Sequence, residues 1–287
     1  MATDFAPPIP SIPTKPPLIL PEKGIAVAGQ LVTILIPCCG MLEYTKLCVP
    51  SILKHTRMPY ELIFLDVGSL DGTAEYLAGL ATGLANVRIE VVRTASDLGI
   101  PQACREALDK CRGDFLVLLN NDTIVTRGWI AQLIGLMSQS ATTGMVGPMS
   151  NYAAEPQAVE TVPYRSGPRK SPRAEDTSGS RALIDVDALQ SFADQLREQN
   201  KGKFIQVDRL GGFCLMLKRE VYKRLNQQGG LNNLTDLGIF DTDILSAKAR
   251  QLGYTLAVCR DLFIHHFGTR TFAHGAPTAA NGQVTAG

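Results

Sequence analysis

The sequence predicts an α/β fold, with a mainly parallel central sheet and helices on both faces. Short apolar runs alternate with stretches of helical period along most of the chain, the pattern of strands joined by crossover helices. Polar residues suited to chemistry fall directly after those runs, where an open parallel sheet places its ligands. The 287 residues, 45% hydrophobic and 19% charged, are enough for one large domain with its own core.

Residues 1–28 carry Pro7, Pro8, Pro10, Pro13, Pro16, Pro17 and Pro21 among small and polar residues. That composition favours extended, unpacked chain and reads as a disordered tail. A single domain is expected over 29–273, and residues 274–287, small and polar, read as a second disordered tail.

Within the domain the expected strands are Leu31–Ile36, Leu62–Asp66, Val87–Val92, Phe115–Leu119, Leu215–Leu217 and Tyr254–Val258. The first helix, Glu43–His55, contains Pro50, which costs about 3 kcal/mol unless the helix bends or restarts there. Asp71 precedes Thr73-Ala74-Glu75 as a helix cap would. Pro101 suits the first turn of a helix that turns Ala103, Ala107, Leu108 and Cys111 towards the sheet. Arg127–Gln139 shows the helical period clearly, with Trp129, Leu133 and Leu136 on one face. Residues 155–183 hold four prolines, with Ser, Gly and mixed charge and no period, and read as a flexible loop: a lid or an insert. A helix at Val186–Gln199 follows, with Leu189, Phe192, Ala193 and Leu196 as its stripe.

The formal net charge of +1 excludes a general attraction to nucleic acid or to acidic membranes. Seven cysteines, an odd number without a CxxC pair, read as buried thiols of a reducing compartment. No apolar run approaches the roughly 18 residues of a membrane span. The first residues lack the basic and apolar regions of a signal peptide, so a cytoplasmic protein is expected.

Four strand ends carry the chemistry. They are Ile36-Pro37, then Asp66-Val67-Gly68-Ser69-Leu70-Asp71-Gly72-Thr73, then Asp97-Leu98-Gly99, and Asn120-Asn121-Asp122-Thr123. Further on stand Gly211-Gly212, the acidic step Asp241-Thr242-Asp243 before a helix, and Leu262–Phe272 with His265 and His266. Pro37-Cys38-Cys39-Gly40 lacks the glycine-rich, basic phosphate loop that a nucleotidyltransferase would want.

In order and content, Val32–Gly40, Glu61–Thr73, Asp97–Leu108, Asp114–Trp129, Gly211–Val221 and Phe240–Phe272 resemble the inverting family 2 glycosyltransferases of the GT-A fold, over roughly residues 31–272. The resemblance implies a nucleotide-sugar-binding half at 29–151 and an acceptor-binding and catalytic half at 152–273. It implies that Asp66 meets the nucleotide base or ribose and that Asp71 is a second donor contact. Pro37, Gly68, Asp97, Asn120, Asn121, Gly211, Gly212 and Arg270 complete the donor side. Asn120 and Asn121 stand where other members carry acids, and Arg105 stands where an asparagine is frequent.

Asp122 is the implied metal ligand, joined by His265 or His266; adjacent residues on an extended strand face opposite ways, so one of the two points into the site. A hard divalent cation, Mn2+ or Mg2+, offsets the charge of a departing diphosphate. An inverting transfer needs a general base, here Asp241 or alternatively Asp243. Both also suit a helix N-terminus electrostatically. Asp208 and Asn151 are the implied acceptor contacts, Asn151 ending a loop that begins at Gly147. The implied activity moves a sugar from a UDP- or dTDP-sugar to the hydroxyl of a glycan, lipid-linked glycan or protein. The alternative is a binding module of the same fold without turnover.

Overall fold

The computed structural model describes residues 30–84, 86–94, 99–166, 184–227 and 242–268. In chain order the elements are β1 (Val32–Cys38), α1 (Leu42–His55), β2 (Tyr60–Asp66), α2 (Thr73–Gly83), β3 (Arg88–Arg93), α3 (Gly99–Asp109), β4 (Phe115–Leu119), β5 (Thr123–Ile124) and α4 (Trp129–Met137). They continue as β6 (Thr143–Met149), α5 (Val186–Asn200), β7 (Phe204–Val207), β8 (Cys214–Lys218), α6 (Arg219–Gln227), α7 (Thr242–Gln251), β9 (Thr255–Phe263) and β10 (His265–His266).

All seven residues of β1 are buried, which is why its sequence VTILIPC is apolar almost throughout rather than alternating. It lies between β2 and β4 in a sheet of order β3-β2-β1-β4-β8-β6-β9-β7, while β5 and β10 form a separate antiparallel ladder. Strands β1 to β4, β6 and β9 run one way; β8 and β7 run against them. The carboxyl ends of β1, β2, β4, β6 and β9 therefore share one edge of the sheet.

Alternate residues feed two cores. Ile34, Ile36, Leu62, Phe64, Val117 and Leu119 meet Cys48, Val49 and Ile52 of α1, Leu77 of α2 and Trp129, Ile130 and Leu133 of α4. On the other face Leu35, Ile63, Leu65, Leu116 and Leu118 join a core holding Ala103 and Leu108 of α3, Leu189 and Ala193 of α5, Val221 of α6 and Leu245 of α7. Helices thus cover both faces, as the period-two alternation of a strand requires.

Several elements depart from expectation. Gly147–Asn151 is not wholly a loop, because Gly147, Pro148 and Met149 finish β6. Two glycines and a proline hide this strand from a pattern reading. The ladder to β8 stops at Val146, so Pro148 owes no hydrogen bond on that side. Strand β7 and helix α6 also escaped the sequence: β7 is a four-residue edge strand, and α6 buries only Val221 and Leu225. Pro50 sits inside α1, which continues unbroken from Leu42 to His55. The first part of the proline-rich stretch is tied down, with Gln157 and Tyr164 buried and Ser166 bridged to Ile184. Residues 167–183 lie outside the described residues, as do the two expected tails at 1–28 and 274–287. Among the described residues no helix is long and apolar enough to cross a membrane.

Candidate active site

Asp66 ends β2 with its side chain fully buried. Its Oδ1 accepts the Ser69 backbone N–H at 3.1 Å, and its Oδ2 lies 3.2 Å from Arg93 Nε. A carboxylate removed from water needs a partner of this kind. Arg93 supplies charge rather than an aligned hydrogen bond, since Oδ2 accepts none. Ser69 extends the connection: its Oγ accepts the Gly40 N–H at 2.7 Å, and the Gly40 carbonyl accepts Asn121 Nδ2 at 3.2 Å. One hydrogen-bonded chain therefore joins the loops that follow β2, β1 and β4.

Asp71 closes the same loop. Its Oδ2 accepts the Leu42 N–H at 2.9 Å, and its Oδ1 accepts the Thr73 N–H at 3.2 Å and the Thr73 hydroxyl at 2.6 Å. Leu42 and Thr73 open α1 and α2, so a single carboxylate caps two helices. Burial alone pushes its pKa up, but the hydrogen bonds from Thr73 and Leu42 outweigh that and hold it below the usual carboxylate range. The chain turns sharply here, with Gly40 at φ 66° and Met41 at φ 63°, both left-handed. Pro37 lies buried inside β1, whereas Gly68, at φ 65°, is exposed beside open space.

Asp122 is 1% exposed and follows β4. The β5–β10 ladder pairs Thr123 with His266, and the Asp122 carbonyl accepts the Phe267 N–H at 3.0 Å. This register brings His266 Nε2 to 3.3 Å from Asp122 Oδ1. The other ring nitrogen, Nδ1, lies 2.9 Å from the Tyr152 carbonyl. A carbonyl only accepts, so Nδ1 carries the proton, and in the neutral ring Nε2 presents a lone pair to the carboxylate. Nε2 is buried and makes no hydrogen bond.

Two electron-rich atoms at this distance suit a shared cation, and a neutral imidazole with a carboxylate is a donor set that divalent Mn2+ accepts. Among the described residues no group of three or more His, Cys, Asp or Glu surrounds a metal position. Two protein ligands with the remainder from phosphate and water is the usual arrangement for a cation that serves a diphosphate. The residues fit the group.

His265 faces away. Its Nδ1 lies 2.9 Å from the Tyr164 hydroxyl, and its ring stands edge-on to Phe267 at 4.5 Å. Burial above all, and then His266, lower its pKa to about 4, with Asp122 acting in the opposite sense. Asn121 spends its amide on Gly40 O and on the Thr45 hydroxyl at 3.0 Å, while Asn120 uses its backbone, its N–H donating to Phe213 O at 2.9 Å. Asn151 grips the His266 backbone from both ends of its amide.

Of the other predicted residues, Asp208 lies apart. Asp208 follows β7, whose Val207 pairs with Leu256 near the start of β9, at the opposite end of that strand from His265. It is paired with Arg250 at 3.1 Å beside a cavity of about 400 Å³ that also lies there, away from Asp122. Asp243 is exposed in the first turn of α7, 3.7 Å from Arg209. The Gly211 N–H donates to Gln157 Oε1 at 2.6 Å, and a Cβ on Gly212 would press on Thr242 at 3.2 Å. Asp97, Asp241 and Arg270 lie outside the described residues.

The sequence reading missed Arg93, Tyr152 and Phe213, whose ring stacks on His266 at 5.3 Å and 17°. Arg93 had a signal, as the charged last residue of an edge strand. Tyr152 acts through its carbonyl, which no residue type reveals.

The profile of glycosyl transferase family 2 matches residues 33–225. The chain is 24% identical over 124 residues to the glycosyltransferase GlyG of Streptococcus pneumoniae serotype 4, covering 43% of this chain and 40% of GlyG. It is 26% identical over 228 residues to the uncharacterized protein y4gI of Sinorhizobium fredii, covering 78% of this chain and 23% of y4gI. Among solved structures it resembles the mannosyltransferase PcManGT of Pyrobaculum calidifontis in complex with GDP-Man and Mn2+. The TM-score there is 0.52 at 19% identity, over 82% of this chain and 56% of that one. It also resembles GalNAc-T7 with UDP, GalNAc and Mn2+, with a TM-score of 0.53 at 17% identity, over 83% of this chain and 44% of that one. These likenesses show the GT-A fold, and the chain spans less than two thirds of the length of each of these proteins.

Proposed function

Because this chain belongs to glycosyl transferase family 2, we propose that it moves a sugar from a nucleoside-diphosphate donor to an acceptor hydroxyl, with inversion and with a divalent cation at the diphosphate. The observation that carries this reading is His266 Nε2 facing Asp122 Oδ1 at 3.3 Å, on the sheet edge where Asp66 also ends its strand. Two structural neighbours, each solved with a nucleotide and Mn2+, support it.

Asp66, held by Ser69 and Arg93, takes the base or ribose of a UDP- or dTDP-sugar, with Gly68, Asp97, Gly211, Gly212 and Arg270 along the donor. Asp122 and His266 hold the cation, Mn2+ or Mg2+. When bound, it offsets the negative charge that builds on the leaving diphosphate. The acceptor oxygen attacks C1 from the face opposite the diphosphate, forming the new C–O bond as the bond from C1 to the phosphate oxygen breaks. The hydroxyl proton passes to Asp241, or to Asp243. The acceptor is a glycan, a lipid-linked glycan or a protein. All seven cysteines are free thiols, which suits a reducing cytoplasm.

The test is a panel of nucleotide sugars screened for released nucleoside diphosphate, with Mn2+ and with a chelator. Cation-dependent release from one donor is expected. Nucleotide binding without release or transfer from any donor would instead make the chain a binding module.

A further inference from the structure

We propose that Asn151 is the positioning residue of the Asp122–His266 pair: it holds the His266 backbone where the Tyr152 carbonyl can fix the imidazole proton on Nδ1, leaving Nε2 as the ligand atom. This rests on the cation reading above.

The geometry is specific. Asn151 Nδ2 donates to the His266 carbonyl at 3.0 Å, and Asn151 Oδ1 accepts the His266 N–H at 3.0 Å. These are the two bonds that a neighbouring strand would make. They continue a ladder that the backbone has already begun, because the Ile264 N–H donates to Met149 O at 3.0 Å just before it. The main chain of β6 ends there, and one side chain supplies the next rung. The consequence falls on the adjacent residue: with Asn151 locked to His266, the Tyr152 carbonyl arrives 2.9 Å from Nδ1.

The ring is bounded on other sides too. Phe213 stacks on His266 at 5.3 Å, and the Tyr152 ring stands edge-on to it at 5.5 Å. The Tyr152 ring in turn rests where residue 268 has no side chain. A Cβ on Gly268, at φ 83°, would lie 2.8 Å from that ring. An amide alone meets the demand at 151, since it donates and accepts at once. Aspartate has the same shape but sets a carboxylate oxygen against the His266 carbonyl. Outer partners that orient a metal-binding histidine act in this way.

The experiment measures Mn2+ binding to the full chain, by loss of the free-ion EPR signal, in the wild type, Asn151→Asp, Asn151→Ala and His266→Ala. Imidazole nitrogen NMR shifts of the metal-free proteins are recorded alongside. The wild type is expected to show His266 protonated on Nδ1. Asn151→Asp is expected to weaken Mn2+ binding by about 10–100-fold and to lose that tautomer, in a chain that still unfolds cooperatively at a somewhat lower temperature.

Unchanged Mn2+ affinity and tautomer in Asn151→Asp overturn the inference, even where His266→Ala abolishes binding. Wild-type Mn2+ affinity in His266→Ala overturns the cation reading instead. Nε2 as a ligand atom falls with it, and the positioning of the ring by Asn151 is then decided by the imidazole shifts: kept if Asn151→Asp loses the Nδ1 proton, rejected if it retains it. Should Asn151→Ala fail to fold, the isosteric Asn151→Asp carries the test.

Discussion

His266 turns Nε2 towards Asp122 Oδ1, 3.3 Å away, while the Tyr152 carbonyl holds its other ring nitrogen at 2.9 Å. Its neighbour His265 turns the other way and lies against Tyr164 and Phe267. Two adjacent residues of one type thus have different surroundings, and different variants tell them apart.

Asp122→Ala and His266→Phe are expected to lose cation-stimulated donor turnover by about 100-fold or more, the scale of one electrostatic contact to a developing charge. His265→Phe, which replaces one buried ring by another, should keep the cation dependence. Nucleoside diphosphate release at varied Mn2+ reads all three, and a cation-independent His265→Phe beside a normal His266→Phe would reverse the assignment.

Asp241→Asn should leave donor binding intact and stop transfer, as expected for a base that touches only the acceptor hydroxyl. Asp243, exposed beside Arg209, should tolerate the same change with a small loss. Donor titration and transfer rates measured together decide it: near-normal transfer by Asp241→Asn with an inactive Asp243→Asn would make Asp243 the base.

Glu61 is a structural carboxylate at the opposite end of β2 from Asp66. It is 1% exposed and accepts the Thr33 hydroxyl at 2.5 Å and the Arg112 N–H at 2.6 Å, with Arg88 Nη1 at 2.5 Å. Removing it strands the Thr33 hydroxyl and the Arg112 N–H and breaks the pair with Arg88, which keeps Glu90 and the Lys110 carbonyl, so Glu61→Ala is expected to cost about 3 kcal/mol of stability, the low end for breaking a buried ion pair. The urea midpoint measures this, and a shift equivalent to less than about 1 kcal/mol would show that water replaces the carboxylate.

His55 gives a pH signature. Burial, then the charges of Lys54, Arg127 and Arg57, lower its pKa from 6.5 to about 4 against a smaller opposing effect of Asp194. The unfolded chain therefore binds a proton between those pH values and the native protein does not. The native-state advantage is complete above about pH 6.5 and is lost as pH falls towards 4, by up to about 1.4 kcal/mol per pH unit. Denaturation of the wild type and of His55→Leu at pH 7 and pH 5 compares the slopes. The variant should have the flatter one, and equal slopes would refute the account.

The long apolar strands and the strongly periodic helices were legible because their burial leaves a mark on many successive residues. β4 falls at Phe115–Leu119 as expected, and α5 at Val186–Asn200 within one residue. β6 left no such mark, since its seven buried residues include two glycines and a proline and owe their burial to β8 and β9. In the candidate site the acidic positions at strand ends were legible for the same local reason. The use of Asp71 as a cap for α1 as well as α2 was not, because Leu42 is 29 positions away.

By itself the sequence determined what is short in range: an α/β alternation, the carboxylates that follow β2 and β4, a pair of histidines after β9, and a succession of motifs that resembles one family. The tertiary structure alone decided that His266 rather than His265 faces Asp122, and that Asn151, 115 positions before it, binds its backbone. The reason is geometric. The β5–β10 register sets which face each histidine presents, and it joins two segments far apart in the chain that only the folded sheet brings side by side.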